Sequence, residues 1–291
     1  MTETDNKTPQ AGSLEQLYRQ PSIYITLPSK GKWYDDKVLT PSGTGEYPVY
    51  PMTAKDEMLM KTPDALMGGN ATVDVIQSCM PNFKNAWEIV NFDIDSILIA
   101  IRIATYGETM NIKYNVPVVN EQAEHTVNIS ALLEDVRRAV IEDEFTTKIG
   151  LKVKIGPLRY REMNRVQIAQ FEQQKIYANI SMNSITDDEK SKQFAKSFKI
   201  LNDINFNMLS DSVIEITTPN GQTASGRDEI KNFINNCNAV LAREIEDKVA
   251  EIRRTGQMRN IKMRATEEQI KKGTPATYDI PLTFDNSNFF G

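Results

Sequence analysis

Residues 47–80 read YPVYPMTAKDEMLMKTPDALMGGNATVDVIQSCM, and two helices are predicted within them. Thr53 stands three residues before Asp56, which is the spacing of a capping box at a helix N-terminus. The first helix therefore begins near Thr53. Pro63 ends it, because proline has no backbone N–H and clashes with the preceding turn.

The second helix lies between Gly69 and Pro81. The two glycines at 68 and 69 predict a turn, and Asn70 or Thr72 can then cap the helix. Val73, Ile76, Cys79 and Met80 recur at helical spacing, so this helix buries one apolar side.

A third helix is predicted in residues 92–107, which read FDIDSILIAIRIATYG. Asp93 or Asp95 can cap it, and Gly107 suits a left-handed residue at its end, so the helix spans about Ile94 to Tyr106. Its apolar residues are not confined to one stripe. A helix that is apolar on more than one face is buried among other elements, so this helix should form the centre of a core.

The composition indicates a globular protein and argues against several function classes. The chain has 291 residues, 40% hydrophobic and 25% charged, with a net charge of −5 and a pI near 5.2. This acidic balance argues against nucleic acid or an anionic membrane as the main partner. No apolar run is long enough for a membrane span, and no secretory signal is evident, which predicts synthesis and assembly in the cytoplasm. Cys79 and Cys237 lie far apart in the sequence and are expected to be reduced, with a disulfide between them as the alternative.

The predicted fold class is α+β, with a compact N-terminal domain of helices and hairpins and a mostly helical second domain. The predicted division is a flexible leader at 1–20, a first domain at 21–157, a helical domain at 158–255 and a connector with a C-terminal arm at 256–291. Strands are predicted near 23–27 and 47–50, at 109–119 and 124–129, and in an edge hairpin at 145–155. Ser130 is predicted to cap a helix that extends to Val140.

The second half is predicted to contain two long amphipathic helices joined by a hairpin near 213–223. Thr186 and Glu189 have capping-box spacing before the first of them. The second helix carries one continuous apolar stripe from Ile230 to Ile252, which seals its own core or meets a partner helix. Thr266 and Gln269 have the same spacing before a short helix that Gly273 ends.

The C-terminal arm ends in FDNSNFFG, residues 284–291. Chain ends are usually polar unless they dock, so its three phenylalanines predict a receptor surface, either on this chain or on another subunit. The basic cluster at 254–264 has no interleaved aromatic residues, so it indicates a solvated connection or a contact with an acidic neighbour and not a nucleic-acid site.

No arrangement of residues predicts catalysis, a cofactor or a bound metal. Phosphate-binding loops, dinucleotide fingerprints and nucleophile elbows are missing from the sequence. His125 stands alone, and a structural zinc site needs about four ligands. The carboxylate pair Asp93 and Asp95 is explained as helix capping, and Glu57 is expected to be solvated or paired with Lys55.

Three linked motifs resemble one family. PMTAKDE, the turn before NATVDVIQSC, and DSILIAIRIATYG closely resemble the baseplate hub and baseplate assembly proteins of T-even-type contractile-tailed bacteriophages. The resemblance covers about the first half of the chain, and the tail FDNSNFFG is also similar. Several family members are expected to carry paired cysteines in a zinc-ribbon-like loop after Gly107, which this sequence lacks.

The resemblance implies a non-enzymatic structural subunit of the baseplate hub that assembles with other hub and tail proteins as an oligomer, in the virion tail after assembly in the host cytoplasm. The first alternative is an assembly chaperone or catalyst that leaves before the virion matures. Two further alternatives are a cell-wall hydrolase, for which lytic activity is expected, and a zinc-dependent nucleic-acid binder, for which bound metal is expected. Candidate interface residues are, by resemblance, Pro51, Met52, Thr53, Lys55 and Asp56 and, in the arm, Phe284, Asp285, Phe289 and Phe290.

Overall fold

The computed structural model describes residues 18–62, 68–182, 187–282 and 289, without the side chains of 179–182 and 187. Within these ranges the chain mixes α-helices with small antiparallel sheets, which confirms the α+β class. The helices of the described ranges are α1 Ala54–Met60, α2 Asn70–Cys79, α3 Asn91–Tyr106, α4 Ile129–Arg137, α5 Tyr160–Met182, α6 Asp187–Ser212, α7 Arg227–Asn236, α8 Ala239–Arg253 and α9 Glu267–Lys271.

The strands form four separate sheets in the described residues. They are β1 Ile23–Ile25, β2 Tyr47–Val49, β3 Thr109–Asn115, β4 Gln122–Asn128, β5 Glu144–Thr146, β6 Lys152–Ile155, β7 Val213–Thr217, β8 Thr223–Ala224, β9 Ile261–Arg264 and β10 Thr277–Ile280. β1 pairs with β2, β3 with β4, and β9 with β10, while the fourth sheet has the order β5-β6-β7-β8. All pairings are antiparallel.

The first hydrophobic core surrounds α3, as its apolar pattern predicts. Ile97 and Ile101 lie on one face of the helix and Ile99 lies on the opposite side, yet all three are fully buried. β1, β2, α1, α2 and α4 pack around them, and Ile280 and Phe289 join this core from the far end of the chain. α3 is therefore the central element of the first half.

A second core lies between the four-stranded sheet and the helices α7 and α8. Val153, Ile216, Ile230 and Ile245 are buried in it, together with Phe92 from the start of α3. β6 pairs with β7, so the hairpin predicted at 145–155 shares a sheet with the hairpin predicted near 213–223. The first hairpin was predicted to form a sheet edge, but only its strand β5 is an edge strand, because β6 is paired with β5 on one side and β7 on the other. The predicted domain boundary near 157 stays a prediction, and this sheet contains strands from both sides of it.

Several predicted helix caps are wrong. α2 begins after Gly69, whose φ is +75°, and neither Asn70 nor Thr72 is its cap. Val90 is the N-cap of α3, so Asp93 and Asp95 lie inside the helix. Asn128 caps α4 in place of Ser130, since its side chain accepts hydrogen bonds from the amides of residues 130 and 131.

Two predicted helix ends also need correction. α4 ends at Arg137, and Val140 lies beyond it with 78% of its surface exposed. Gly107 follows α3 with a positive φ of +89°, as predicted, but its ψ of −176° is outside the left-handed helical region. The Gly107 N–H still donates to the Ile103 carbonyl and closes the last turn.

The helix predicted over Ile230–Ile252 is two helices. Cys237 is extended, with φ −70° and ψ +161°, and the Asn238 side chain accepts a hydrogen bond from the Leu241 amide at the start of α8. The apolar stripe is broken as well, because Val240 is 75% exposed. The local preference of asparagine for an N-cap outweighs the apolar periodicity at this point.

The connector contains a sheet that the sequence did not predict. β9, within the basic cluster at 254–264, pairs with β10, and α9 lies between them. Thr266 and Gln269 form the predicted capping box of α9. Just before β9, Gly256 (φ +78°) lies so close to α3 that a Cβ atom would be 2.7 Å from the Phe92 carbonyl oxygen, so this position requires glycine.

Candidate interaction site

The capping box at the start of α1 is present as predicted. The Thr53 amide and hydroxyl both donate to Asp56 Oδ2, at 2.8 and 2.7 Å, and the Asp56 amide donates back to Thr53 Oγ1 at 3.2 Å. These reciprocal bonds satisfy backbone donors that a helix start leaves free. They hold residues 51–53 in a defined conformation before the helix.

Arg19 extends this box into a larger polar network. One of its terminal nitrogens donates to the Pro51 carbonyl at 2.7 Å, and the other donates to the carbonyl and the hydroxyl of Ser78 at 2.8 Å. The Ser78 hydroxyl donates to Asp56 Oδ2 at 2.9 Å, and Arg19 lies 3.4 Å from the same oxygen. The guanidinium therefore ties α1, α2 and the segment before α1 together.

Sequence reasoning missed Arg19 and Ser78. It placed Arg19 in the flexible leader 1–20, of which residues 1–17 lie outside the described part, and it gave Ser78 no role. Arg19 and Ser78 are 59 positions apart in the chain, and no local pattern links them. The one available signal was Arg19 itself, a lone arginine just before the first strand. It did not point to Asp56, because the sequence already explained that carboxylate as part of a helix cap.

The residues of the predicted motif differ in their access to solvent. Thr53 and Lys55 are exposed, Pro51 and Met52 are half-buried, and only 5% of Asp56 is exposed. A cavity of about 550 Å³ opens beside them, with Arg19 and Met52 among its lining residues. Met52, Thr53 and Lys55 are therefore accessible to a partner. Asp56 is not accessible, and its hydrogen bond from the Thr53 amide fixes the backbone beneath this surface.

Glu57, the second acidic residue of the motif, is partly solvated, with 39% of its side chain exposed, and the alternative pairing with Lys55 is wrong. The Tyr106 hydroxyl donates to its carboxylate at 2.8 Å, and Lys61, one helical turn further on, lies at 3.4 Å. The hydrogen bond from Tyr106 and the charge of Lys61 lower the pKa of Glu57. A carboxyl group with a lowered pKa stays ionised at neutral pH and is a poor general acid.

Both thiols are protonated at neutral pH. Burial, and secondarily the charge of Asp56, raise the pKa of Cys79 to about 12, and burial raises the pKa of Cys237. Both cysteines are free, as expected from their positions in the sequence. Since the thiolate is the reactive form, neither thiol has the properties of a catalytic nucleophile.

The acidic pair in α3 has a structural role that differs from the predicted one. Asp93 is fully buried and accepts hydrogen bonds from the Ser29 amide at 2.8 Å, the Ser29 hydroxyl at 2.5 Å and the Tyr34 hydroxyl at 2.8 Å. Asp95 accepts a bond from the Met258 amide at 2.7 Å. Burial raises the pKa of each carboxyl group to about 6. The two groups hold the loop before residue 35 and the connector against α3.

The described part of the C-terminal arm consists of residues up to Leu282 and Phe289. Phe289 is 1% exposed and belongs to the first core of its own chain, against which Leu282 also packs. Phe284, Asp285 and Phe290 lie outside the described residues, so their predicted contacts stay predictions. Of the two predicted receptors for the arm, this chain or another subunit, Phe289 therefore docks on the core of its own chain.

No group of three or more potential metal ligands occurs within the ranges that the structure describes. His125 lies on β4 opposite Ile112 and is exposed, which agrees with the surface position expected for it. Among the helices of the described ranges, none combines the length and apolar character that a membrane crossing needs.

The comparison with protein families identifies this chain. The family model described as T4 bacteriophage base plate protein matches residues 21–272. This range includes the second core, all of the first core except Ile280 and Phe289, and the motif at 51–56 that Arg19 contacts. No curated protein and no solved structure matches the chain. Because the match extends over most of the sequence, the chain belongs to the T4 bacteriophage base plate protein family.

Proposed function

We propose that this chain is a structural subunit of the phage tail baseplate hub, which holds neighbouring hub and tail proteins in place without catalysing a reaction. The observation that carries the proposal is the family match over residues 21–272. The motif that suggested a hub protein from the sequence, PMTAKDE, forms an ordered surface element in the structure. In this proposal the chain assembles in the host cytoplasm and remains in the virion.

The surface around the start of α1 is the proposed contact site. Met52 is half-buried at the cavity beside Arg19, and Met58 is 70% exposed on α1. Thioether side chains adapt to irregular partner surfaces, and interfaces are enriched in methionine. Thr53 and Lys55 add hydrogen-bonding groups and a charge. The Arg19 network supports this proposal, because a surface whose backbone is already fixed loses less entropy on binding.

The chemistry of the described residues also supports a role without catalysis. The carboxyl groups with raised pKa, Asp93 and Asp95, are occupied by hydrogen bonds that hold other segments. The two thiols are protonated, and His125 stands alone on an exposed strand. An enzyme would need a positioned acid, base or nucleophile in an accessible cleft.

The test is quantitative mass spectrometry of purified phage particles and of the infected-cell lysate from which they come. We expect this chain in particles at a fixed ratio to the major tail proteins, because a structural subunit is retained in every baseplate. Known tail proteins and a known non-virion phage protein serve as positive and negative controls. Finding the chain in the lysate and not in particles would overturn the proposal and favour an assembly chaperone or catalyst.

A further inference from the structure

The central helix α3 carries one cation, Arg102, which has no acidic partner among the described residues. It interrupts the apolar run of α3 and is half-buried near the end of that helix. Two of its guanidinium nitrogens, Nε and Nη1, are buried and have no hydrogen-bond acceptor. None of the ion pairs within the described ranges includes it. Arg102 is therefore a partly desolvated charge with unpaired hydrogen-bond donors.

One aromatic contact holds the Arg102 guanidinium in place. The guanidinium lies over the ring of Tyr106, one helical turn further on, with 4.5 Å between its central carbon and the ring centre. Such a contact involves the flat face of a guanidinium, whereas its N–H donors point outward in the plane. Burial lowers the pKa of Arg102, and Tyr106 opposes this effect only in part. Arginine nevertheless stays charged at neutral pH, so the ring orients a charge that it does not neutralise.

The unpaired donors of Arg102 indicate that an acceptor is missing from the free chain. A buried N–H group without an acceptor destabilises a protein, because its bonds to water are lost and nothing replaces them. Nearly all buried polar groups in native proteins have partners, and the exceptions call for a specific explanation. The planar fork of a guanidinium fits best with an anion that accepts two parallel hydrogen bonds.

Arg102 lies beside the proposed contact surface at the start of α1. Thr105 and Tyr106 are three and four positions after Arg102, so all three side chains lie on one side of α3. The Met52 amide donates to Thr105 Oγ1 at 3.0 Å, and the Tyr106 hydroxyl donates to Glu57. Tyr106 is 39% exposed. A protein that covers Met52 and Tyr106 therefore comes within reach of Arg102.

The charges near Arg102 favour a single carboxylate over a phosphate. Arg102 supplies one unpaired positive charge, Lys61 is paired with Glu57, and the Glu57 carboxylate adds a negative charge next to Tyr106. A phosphate group carries nearly two negative charges, and nucleic acids bind to clusters of cations. The carboxylate of an aspartate or glutamate side chain matches one arginine in both charge and geometry.

We propose that Arg102 binds one aspartate or glutamate side chain of the baseplate protein that covers the start of α1. This inference rests on the proposed function, because it assigns a chemistry to the partner at that surface. Arg102 keeps access to solvent, and its flexible stem lets the guanidinium turn toward the arriving carboxylate. Binding then pairs donors that are unpaired in the free chain. A neighbour without an acidic residue at this point leaves the charge unpaired and is rejected.

The test is a competition for places in the particle. Phage that lack this gene grow in cells that express the wild-type chain and one variant together. Mass spectrometry of the peptide that contains residue 102 gives the ratio of variant to wild type in purified particles and in the lysate. Arg102→Met keeps the apolar stem without the charge, and Arg102→Lys keeps the charge without the fork. Arg243→Met, followed by its own peptide, is the matched control, since Arg243 is exposed on α8.

We expect Arg102→Met to enter particles at least about tenfold less than the wild type, because the partner's carboxylate loses its counter-charge. Arg102→Lys should enter at an intermediate level, and the Arg243→Met control should enter as the wild type does. The melting temperature of purified full-length Arg102→Met should equal or exceed that of the wild type, since the free chain loses an unpaired charge. Phage that carry Arg102→Glu should yield revertants in which another tail protein has a lysine or arginine in place of an acidic residue.

Entry of Arg102→Met at the wild-type level, in particles that contain the wild-type chain, would overturn this inference and leave the proposed function standing. A clear fall in melting temperature for both Arg102→Met and Arg102→Lys would also overturn it, because Arg102 would then serve the fold of the free chain. Inorganic phosphate that raises the melting temperature of the wild type but not of Arg102→Met would assign the site to a phosphate instead. Absence of the wild-type chain from particles would overturn the proposed function, and this inference with it.

Discussion

The Tyr34 hydroxyl donates a hydrogen bond of 2.8 Å to the Asp93 carboxylate and accepts one of 3.0 Å from the Val90 amide. One side chain from the loop after β1 thus satisfies both a buried acid and the backbone at the start of α3. The guanidinium of Arg159 lies 6.0 Å from the centre of the same ring and donates to the Glu88 and Trp33 carbonyls. These contacts join the two cores at the beginning of α3.

Replacing Tyr34 with phenylalanine removes both of these hydrogen bonds and preserves the ring. We expect the free energy of unfolding to fall by about 1–3 kcal/mol, because buried polar groups lose their partner. Urea unfolding measures the change. Tyr24→Phe is the matched control, since Tyr24 is 57% exposed, and it should change stability by less than about 0.5 kcal/mol. Equal effects of the two substitutions would contradict the assigned role of Tyr34.

The raised pKa of Asp95 predicts a dependence of stability on pH. Burial raises this pKa from its ordinary value of 3.8 to about 6 in the folded chain. Between these values the folded state binds a proton that the unfolded state does not, so this group makes the free energy of unfolding rise as the pH falls from about 6 to about 4. Asparagine at position 95 can still accept the Met258 hydrogen bond but does not titrate.

We therefore expect the wild-type chain to gain stability relative to Asp95→Asn on acidification. The gain is on the order of 1 kcal/mol per pH unit within the window. Chemical unfolding of both proteins across the window measures it. Asp135→Asn, at an exposed position of α4, controls for the general effect of losing one carboxylate. Parallel pH profiles for wild type and Asp95→Asn would contradict a raised pKa at Asp95.

Burial of Phe289 in the first core predicts that the end of the chain contributes to folding stability. We expect Phe289→Ala to lower the free energy of unfolding by about 3–5 kcal/mol, the usual cost of removing a buried phenylalanine. Phe198→Ala, at a site that is 58% exposed, is the control and should cost below about 1 kcal/mol. A melting temperature that Phe289→Ala leaves unchanged would instead indicate that this residue is free to bind another subunit.

The break between α7 and α8 depends on the Asn238 cap. Asn238→Ala should reduce the free energy of unfolding by about 1 kcal/mol, because the Leu241 amide loses its acceptor. Asn236, which is exposed near the end of α7 and bonds within its own helix, provides the comparison. If Asn236→Ala and Asn238→Ala destabilise the chain equally, the cap does not determine this helix start.

Features that depend on nearby residues could be predicted from the sequence. The Thr53 and Asp56 box, the Thr266 and Gln269 box and the buried helix α3 each follow from spacing within a few turns of chain. Their interactions are local, so propensity and periodicity contain the necessary information.

Features that depend on distant residues could not be predicted in this way. Asp93 has the sequence context of a cap, and its real partners, Ser29 and Tyr34, are about sixty positions away. Arg19 meets Ser78 across a similar separation. β9 was missed because its pattern alternates within a run of basic residues, and only its pairing with β10 makes it a strand. Tertiary contacts override local propensity at all of these positions.

The most direct test of the proposed role is electron cryomicroscopy of an intact tail tip at side-chain resolution. The account predicts density for this chain at a defined position in the baseplate, with Met52, Thr53 and Lys55 covered by a neighbouring protein and Asp56 still bonded to Arg19 behind them. A complete baseplate that contains no density for this chain, or one in which the surface at 51–55 faces solvent in every copy, would contradict it.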